Sequence, residues 1–179
     1  MHNLANPLVL DRQICFSLYA ASRALTNRYR PLLEPLGLTY PQYLVMLVLW
    51  ERGAATVKEL SAALQLDSGT LSPLLKRLQA AGLVDRRRST ADERQVLVEP
   101  TAAGRALRER AASVPARIAS ATGLDLQELE ALKRTLETVT AGACTGDEEP
   151  TDRETTHEAA LRNRGRRDRG RPQRPQPEL

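Results

Sequence analysis

The sequence predicts a mainly α-helical fold that contains one small β-hairpin. Three observations support this fold class. Apolar residues recur at steps of three and four over much of residues 8–142, two short helices with capping signals follow each other closely, and two short strand-like segments come directly after them. The length of 179 residues allows one domain with an appendage.

The first predicted helix covers about residues 8–36. Its apolar stripe consists of Leu10, Ile14, Leu18, Ala21, Leu25, Tyr29 and Leu32. Thr39 and Gln42 then form a capping box, in which each side chain bonds the other residue's free backbone amide. The box predicts a helix from Tyr40 to about Glu51 that is apolar nearly all round, is therefore buried, and ends at Gly53.

Two shorter helices follow. Thr56 and Glu59 repeat the capping box and begin a helix that runs to about Leu64, whereas Asp67 is the predicted N-cap of a second helix that ends before Gly82. Two short helices joined by a tight turn form a helix-turn-helix. Because helix pairs are common, this pattern alone is weak evidence for any function.

A predicted hairpin after the second short helix makes the pattern more specific. Residues 83–88 and 94–99 have the character of strands, and polar residues 89–93 join them. A hairpin that follows a helix-turn-helix, with arginines at its base and tip, is a winged helix. Thr101 then caps a long helix that is predicted to bend at Pro115.

The helices on either side of the winged helix predict an obligate-type helical dimer. A capping signal at residues 125–128 opens a last helix to about Ala141. The flanking helices, about residues 8–36 and 101–141, have no partner within one chain, so we expect a second copy to cover them. The lobe between them, about residues 54–100, contains the winged helix.

Charge separates this domain from the end of the chain. The net charge of +4 lies wholly in residues 1–142, because residues 143–179 hold eight acidic residues and eight arginines. Residues 145–158 sum to −5 and residues 159–179 to +5. With little apolar content, residues 143–179 are predicted to be a disordered tail. Its arginines fit either a weak nucleic-acid arm or contacts with its own acidic half.

Composition excludes several classes of protein. No apolar run approaches the roughly 18 residues of a membrane span, and no signal core follows the N-terminus. Two cysteines and two histidines are too few for a disulfide scaffold or a zinc-stapled fold. We therefore expect a cytoplasmic protein without a metal, a cofactor or a membrane partner.

Four segments give the chain a family resemblance. They are QICFSLYAASR (13–23), LTYPQYLVMLVLWE (38–51), LDSGTLSPLLKRLQAAGLVDRRRS (66–89) and DERQVLVEPTAAG (92–104). The sequence resembles the MarR family of dimeric winged-helix regulators, and more narrowly the OhrR-type repressors of organic hydroperoxide resistance. The resemblance implies a homodimer that binds a double-stranded, palindromic DNA operator and is not an enzyme.

The second short helix is predicted to enter the major groove of that operator. Its early hydroxyl residues lie where base edges can be distinguished, its later cations suit phosphates, and the arginines at the base of the wing suit phosphates as well. Arg94 is predicted to enter the minor groove with Asp92 bracing its guanidinium, and the resemblance implies the same pair. The remaining DNA-binding candidates are Ser68, Thr70, Ser72, Lys76, Arg77, Arg86, Arg87 and Arg88.

Cys15 is the predicted redox sensor. All six aromatic residues lie between residues 16 and 50, near this cysteine, and Tyr19 and Ser22 follow it on one edge of the helix. The resemblance implies that Tyr29 and Tyr40 of the other subunit bond its thiolate. Four residues are expected to form an apolar pocket that favours organic hydroperoxides: Phe16, Tyr19, Tyr43 and Trp50. A buried, inert cysteine is the structural alternative.

The predicted mechanism is release from the operator after an organic hydroperoxide oxidises Cys15, with a low-molecular-weight thiol as the reset. Two alternatives remain: a MarR regulator that answers to a phenolic ligand, and a small thiol peroxidase. Related sensors that close a disulfide place their second cysteine where this chain has Ser120. Cys144 is instead predicted to begin the tail, which favours a one-cysteine sensor.

Overall fold

The computed structural model describes residues 8–88 and 95–144. In these ranges the fold is mostly helical with a small antiparallel sheet, as predicted. The elements are α1 (Ile14–Leu33), α2 (Tyr40–Arg52), β1 (Ala55–Thr56), α3 (Val57–Leu64), α4 (Ser68–Ala80), β2 (Val84–Arg88), β3 (Val96–Pro100), α5 (Ala102–Ala111), α6 (Val114–Ala121) and α7 (Leu126–Cys144). The chain divides into two units, residues 1–126 and 127–179, which are described separately.

α1 begins later than the sequence predicts. A single 3-10 turn, Leu10–Arg12, precedes it, and regular helix starts at Ile14 instead of near Leu8. Cys15 is therefore the second residue of α1 and lies in its first turn. At the other end a further 3-10 turn leads to Gly37, which has a φ of +68° and lets the chain reverse toward α2.

α2 is the central helix of the core. Gln42 Oε1 accepts hydrogen bonds from the backbone N–H and the hydroxyl of Thr39, at 2.9 and 3.0 Å. The predicted capping box of Thr39 and Gln42 is present, and the Thr39 hydroxyl also donates to the Gln42 oxygen. The helix ends at Gly53 as predicted. Its buried residues are Gln42, Tyr43, Val45, Met46 and Leu49.

The helix-turn-helix forms as predicted, with both caps present. Glu59 accepts from the N–H and the hydroxyl of Thr56, at 2.7 and 2.8 Å, and donates its own N–H back to Thr56 Oγ1. Asp67 Oδ1 accepts the Thr70 N–H at 2.8 Å and begins α4. Gln65 links the two helices with a φ of +52°, a left-handed conformation that is uncommon outside glycine.

Leucines hold the two short helices and the hairpin onto α2. Leu60 of α3, Leu71 and Leu75 of α4, and Val84 and Val98 of the hairpin are at most 1% exposed. Each such side chain adds about 1.5–3 kcal/mol when it is fully removed from water. The winged helix is thus one packed body with α2 at its centre.

The sheet contains the predicted hairpin and one strand that was not predicted. β2 and β3 pair antiparallel, with Val84 opposite Pro100 and Arg88 opposite Val96. β1 adds to the other edge of β3, where Ala55 pairs with Val98. The predicted polar tip, residues 89–93, and Arg94 lie outside the described residues.

The single long helix predicted after Thr101 is wrong. α5 ends at Ala111 and a separate helix, α6, begins at Val114. Pro115 lies in the first turn of α6, where its missing N–H costs nothing, whereas inside a continuous helix it would have left the carbonyl of Ala111 without its donor. The proline therefore marks a break and not a bend.

α7 reaches Cys144, so the prediction that the tail begins at residue 143 is wrong for these two residues. Residues 145–179 lie outside the described ranges. Leu132, Leu136 and Val139 recur at helical spacing on α7 and are 37–44% exposed.

Among the described helices none alone is long and apolar enough to span a membrane, and α1 with α2 passes that test only as a pair bent by 69°.

Candidate functional site

Cys15 has an exposed side chain and is a free thiol in the first turn of α1. Its predicted apolar neighbours Phe16 and Tyr19 are also exposed, at 37% and 56%. The described part of one chain therefore does not enclose Cys15 in a pocket. Within one chain Cys15 is thus not a buried, space-filling side chain.

The other predicted sensor tyrosines form a cluster at the far end of α1. The Tyr29 ring centroid lies 4.5 Å from that of Tyr40 and 5.9 Å from that of Tyr43. Trp50 meets Tyr43 edge-on at 6.2 Å. Burial, together with the neighbouring Tyr40 and Tyr43, raises the pKa of Tyr29 to about 12. At neutral pH the Tyr29 hydroxyl is thus protonated and available as a hydrogen-bond donor.

Cys15 and this tyrosine cluster are far apart within one chain. Tyr29 follows Cys15 by fourteen residues on the same helix. At 1.5 Å of rise per residue the two positions are about 21 Å apart along the axis. One chain therefore contains the two parts of the predicted sensor at opposite ends of α1, so contact between them requires a second chain.

Trp50 forms a hydrogen bond with α5, the helix that follows the hairpin. Its indole Nε1 donates to the carbonyl oxygen of Gly104 at 2.8 Å, across 54 residues of sequence. This bond joins α2 to the first turn of α5. The sequence predicts Trp50 in the sensor pocket and does not predict this bond, because no local pattern indicates a contact between such distant residues.

A second contact that the sequence does not predict lies one to two helical turns after Cys15 on α1. Arg23 Nη1 donates to the Tyr19 hydroxyl oxygen at 2.9 Å, and the guanidinium carbon is 5.5 Å from the centroid of the Tyr19 ring. Tyr19 and Arg23 follow Cys15 at four and eight residues. That spacing, which places side chains along one helix face, was the available signal.

The predicted major-groove residues lie on the first two turns of α4. Ser68 and Thr70 are exposed and Ser72 is half-buried. The Thr70 hydroxyl donates to Asp67 Oδ2 at 2.8 Å, so in this structure its hydrogen is used at the start of α4 and its oxygen can accept a further hydrogen bond. The bonds from Thr70 hold the pKa of Asp67 below its usual value, so this carboxylate stays charged. Lys76 and Arg77 are exposed further along α4.

The three arginines of β2 have different surroundings. Arg87 forms an ion pair with Glu99 on the neighbouring strand, which raises the pKa of Arg87 and neutralises its charge locally. A free phosphate-binding role, as predicted for Arg87, would have to displace this carboxylate. Arg88 is exposed, whereas Arg86 is half-buried and its Nε has no hydrogen-bond partner among the described residues. Asp92 and Arg94 lie between the two described ranges.

Comparisons with known proteins identify the family. A family model described as transcriptional regulator SarA/Rot matches residues 27–110. The organic hydroperoxide resistance transcriptional regulator of Bacillus subtilis is 45% identical over 139 residues, which cover 78% of this chain and 95% of that protein. The chain belongs to the MarR family. Within it the chain is of the OhrR type, as the sequence predicts, and it is a transcriptional regulator.

Solved structures of MarR-type proteins share the fold. Reduced AbfR bound to DNA has a TM-score of 0.65 and 36% identity over 75% of this chain and 94% of that one; AbfR is from Staphylococcus epidermidis. BpsR of Bordetella bronchiseptica, described with regulation of its DNA binding by 6-hydroxynicotinic acid, has a TM-score of 0.69 and 27% identity over 75% and 98%. The winged-helix fold class is thereby confirmed.

Proposed function

We propose that this MarR-type regulator is a homodimeric repressor that binds a palindromic operator and is released when organic hydroperoxides oxidise Cys15. The observation that supports this most is the division of the sensor along α1, with an exposed thiol in its first turn and the Tyr29–Tyr40 pair about 21 Å away. An antiparallel pairing of two α1 helices about a two-fold axis would bring each Cys15 to the partner subunit's tyrosine cluster.

Exposed apolar residues support such a pairing. Ile14, Phe16 and Tyr19 lie on or beside the first turns of α1 and are 37–66% exposed. An open groove of about 860 Å³ beside Tyr40 is lined by Thr26, Arg30 and other residues of the α1–α2 turn. In the proposed dimer this groove has room for the first turn of the partner's α1, and the exposed apolar residues leave water.

The proposed reaction of Cys15 with a hydroperoxide requires a thiolate that is stabilised by tyrosine hydroxyl groups. Hydrogen bonds from the partner's tyrosine hydroxyls favour the charged sulfur, and the position of Cys15 in the first turn of α1 adds the favourable end of the helix dipole. The thiolate sulfur attacks the terminal hydroxyl oxygen of the peroxide, the O–O bond breaks, and the alkoxide leaves as an alcohol after it takes up one proton, equivalent to the one the thiol lost on ionisation. The product is a sulfenic acid.

Reset uses a low-molecular-weight thiol. Its condensation with the sulfenic acid forms a mixed disulfide and water, and a second thiol molecule then reduces that disulfide to regenerate Cys15. One oxidation switches one site, so the protein consumes peroxide as a signal and not as an enzyme substrate. Sustained peroxide consumption with excess thiol would instead support a thiol peroxidase.

A change at Cys15 can reach the DNA-binding lobe through the packed core. α1 contacts α2 through the tyrosine cluster, and Met46 and Leu49 of α2 share one buried cluster with Leu71 and Leu75 of α4. Because such cores are close-packed, a shift of α1 and α2 moves α4 rather than being absorbed. The two α4 helices of a dimer would then no longer match the spacing of the two operator half-sites.

Replacement of Cys15 by serine is expected to leave operator affinity within about twofold of wild type and to abolish release by cumene hydroperoxide. Serine keeps the size of the side chain but has no thiolate to oxidise. A gel-shift titration with peroxide, in parallel with mass spectrometry of the wild-type thiol, measures both properties. Release of the serine variant at wild-type peroxide concentration would overturn the proposed function.

A second candidate function is response to an aromatic acid. A groove of about 570 Å³ is lined by the ring of Trp50 and by two arginines and one carboxylate, Arg105, Arg108 and Glu109; the excess of positive charge suits a ring that bears a carboxylate. DNA binding by the relative BpsR is regulated by 6-hydroxynicotinic acid. The same serine variant discriminates, because release of both wild type and Cys15→Ser by this acid, with no effect of peroxide on wild type, would favour the second candidate.

A further inference from the structure

The strands of the hairpin sort their charged side chains onto two faces. Successive side chains of a strand point to opposite sides. Asp85 and Arg87 of β2 therefore lie on one face, and the other two arginines of that strand lie on the opposite face. Glu99 of β3 pairs directly with Asp85 and shares its face. In the described part of the hairpin this face, which we call the acidic face, thus brings together two carboxylates and one guanidinium.

The Arg87 side chain on the acidic face is turned toward the base of the hairpin. Glu99 lies diagonally across from it on β3, at a position that a long side chain can reach. The Arg87 guanidinium donates to Glu99 Oε2 and forms an ion pair with it. Because Glu99 lies near the base end of β3, this bond draws the charge of Arg87 away from the end of the hairpin that continues into residues 89–94.

Two features of the acidic face favour this ion pair over a free Arg87. Asp85 and Glu99 are directly opposite each other, and like charges in that arrangement are destabilising, so the cation between them offsets their repulsion. Glu99 is only 29% exposed, and partly buried charges are screened less by salt than fully exposed ones. The hydrogen bond with Glu99 and the charges of Glu99 and Asp85 raise the pKa of Arg87.

β2 lies where an unpaired arginine would meet DNA. The strand packs against α4, the helix predicted to enter the major groove, and the neighbouring Arg88 is exposed. The Arg87 side chain is itself 65% exposed. Cations beside an occupied groove contact backbone phosphates, and these contacts raise affinity without reading sequence. Without Glu99, Arg87 would therefore add a phosphate contact on DNA of any sequence.

We propose that Glu99 withholds Arg87 from DNA phosphates and thereby limits the affinity of the wing for DNA of unrelated sequence. If Arg87 moved to a phosphate, it would leave two facing carboxylates beside an anionic backbone, so the ion pair persists in the complex with DNA. A regulator competes with a large excess of unrelated sites in a genome, and fewer sequence-independent contacts leave more of it for its operator. The proposal concerns DNA binding alone and does not depend on oxidation of Cys15.

The test measures binding of the full-length protein to a labelled duplex of unrelated sequence and about 30 base pairs, which is long enough for both subunits of a dimer. Fluorescence anisotropy gives the affinity between about 50 and 200 mM salt, and the slope of log affinity against log salt concentration reports how many phosphates are contacted. Glu99→Gln keeps the size of the side chain but releases Arg87. Because each of two subunits then adds one phosphate contact, we expect the slope to steepen by about 1.8, so that affinity falls about tenfold more than that of wild type over this range.

A neutral pair is the matched control. Arg87→Gln combined with Glu99→Gln has the same net charge as wild type and no cation to release, so its slope is expected to stay within about 0.5 of the wild-type slope. Asp85→Asn removes a carboxylate from the same face but leaves the ion pair, and it is also expected to change the slope by less than about 0.5. Urea unfolding of each variant checks that the fold is retained.

Three results would overturn the proposal. Equal slopes for wild type and Glu99→Gln would show that Arg87 is not held back. A shallower slope for the double variant than for wild type would show that Arg87 already contacts a phosphate in wild type. An equal steepening in Asp85→Asn and Glu99→Gln would indicate a general effect of charge. Failure of the proposed function is a separate result, namely release of Cys15→Ser from the operator by peroxide, which these slopes do not measure.

Discussion

Replacement of Gly104 by alanine is expected to destabilise the winged-helix unit by about 3 kcal/mol or more, at the upper end of overpacking effects. A Cβ at this position would lie 2.0 Å from the carbonyl oxygen of Leu83 and 3.3 Å from Met46 Cε. The first contact is with backbone, which is itself fixed because Leu83 O accepts the Thr101 N–H at 3.0 Å. α5 would have to move away from the start of the hairpin.

Movement of α5 would also disturb the bond from Trp50 to the Gly104 carbonyl. The lower free energy of unfolding is measured by urea unfolding followed by circular dichroism. We expect the midpoint of Gly104→Ala to lie at a lower urea concentration than that of wild type, with a similar slope of the transition. Gly142→Ala is the matched control. Its added Cβ meets no described atom within 4 Å, and alanine in a helix is favoured over glycine by about 0.5–1 kcal/mol. Equal midpoints for Gly104→Ala and wild type would contradict the close approach.

Replacement of Arg94 by alanine is expected to abolish detectable operator binding while the protein stays dimeric. In the proposed complex this arginine enters the narrow minor groove from the wing, where negative potential is concentrated, and no other residue of the winged helix is assigned to that groove. Gel-shift titration measures the affinity, and light scattering measures the oligomeric state. Since each subunit contributes one Arg94, the dimer loses two such contacts.

Arg28→Ala is the charge-matched control for Arg94→Ala. Arg28 is exposed on α1, outside the lobe of residues 54–100. Its loss removes the same formal charge and is expected to change operator affinity by no more than about twofold, because long-range charge is screened beyond roughly 8 Å at physiological salt. Near-wild-type affinity of Arg94→Ala would exclude the proposed minor-groove contact.

Elements whose limits depend on local hydrogen bonds were predictable from sequence. The caps at Thr56 and Asp67 and the terminating Gly53 and Gly82 involve groups within about four residues of each other, so the helix-turn-helix is encoded locally. β1 was missed because two residues are too few to show an alternating pattern. It exists only because β3 offers a free edge.

The residues of the candidate site remain a prediction from the sequence, whereas several of their partners in the fold could not be predicted from it. Cys15 and its tyrosines follow from aromatic clustering and family resemblance, whereas the ion pair of Arg87 with Glu99 depends on the register of two strands. The bond from Thr70 to Asp67 reassigns a hydroxyl that composition alone leaves free. Contacts that depend on strand register, or on segments distant in sequence, exist only once the chain has folded, so no local sequence pattern predicts them.

The distance along α1 between Cys15 and the tyrosine cluster has a genetic consequence. In the proposed dimer each sensor takes its thiol from one subunit and its phenols from the other. A chain without Cys15 and a chain without Tyr29 and Tyr40 would each form unresponsive homodimers. When both chains are expressed together, however, their mixed dimer contains one complete sensor, so peroxide would release the mixed dimers alone while the two unresponsive homodimers would continue to occupy the operator.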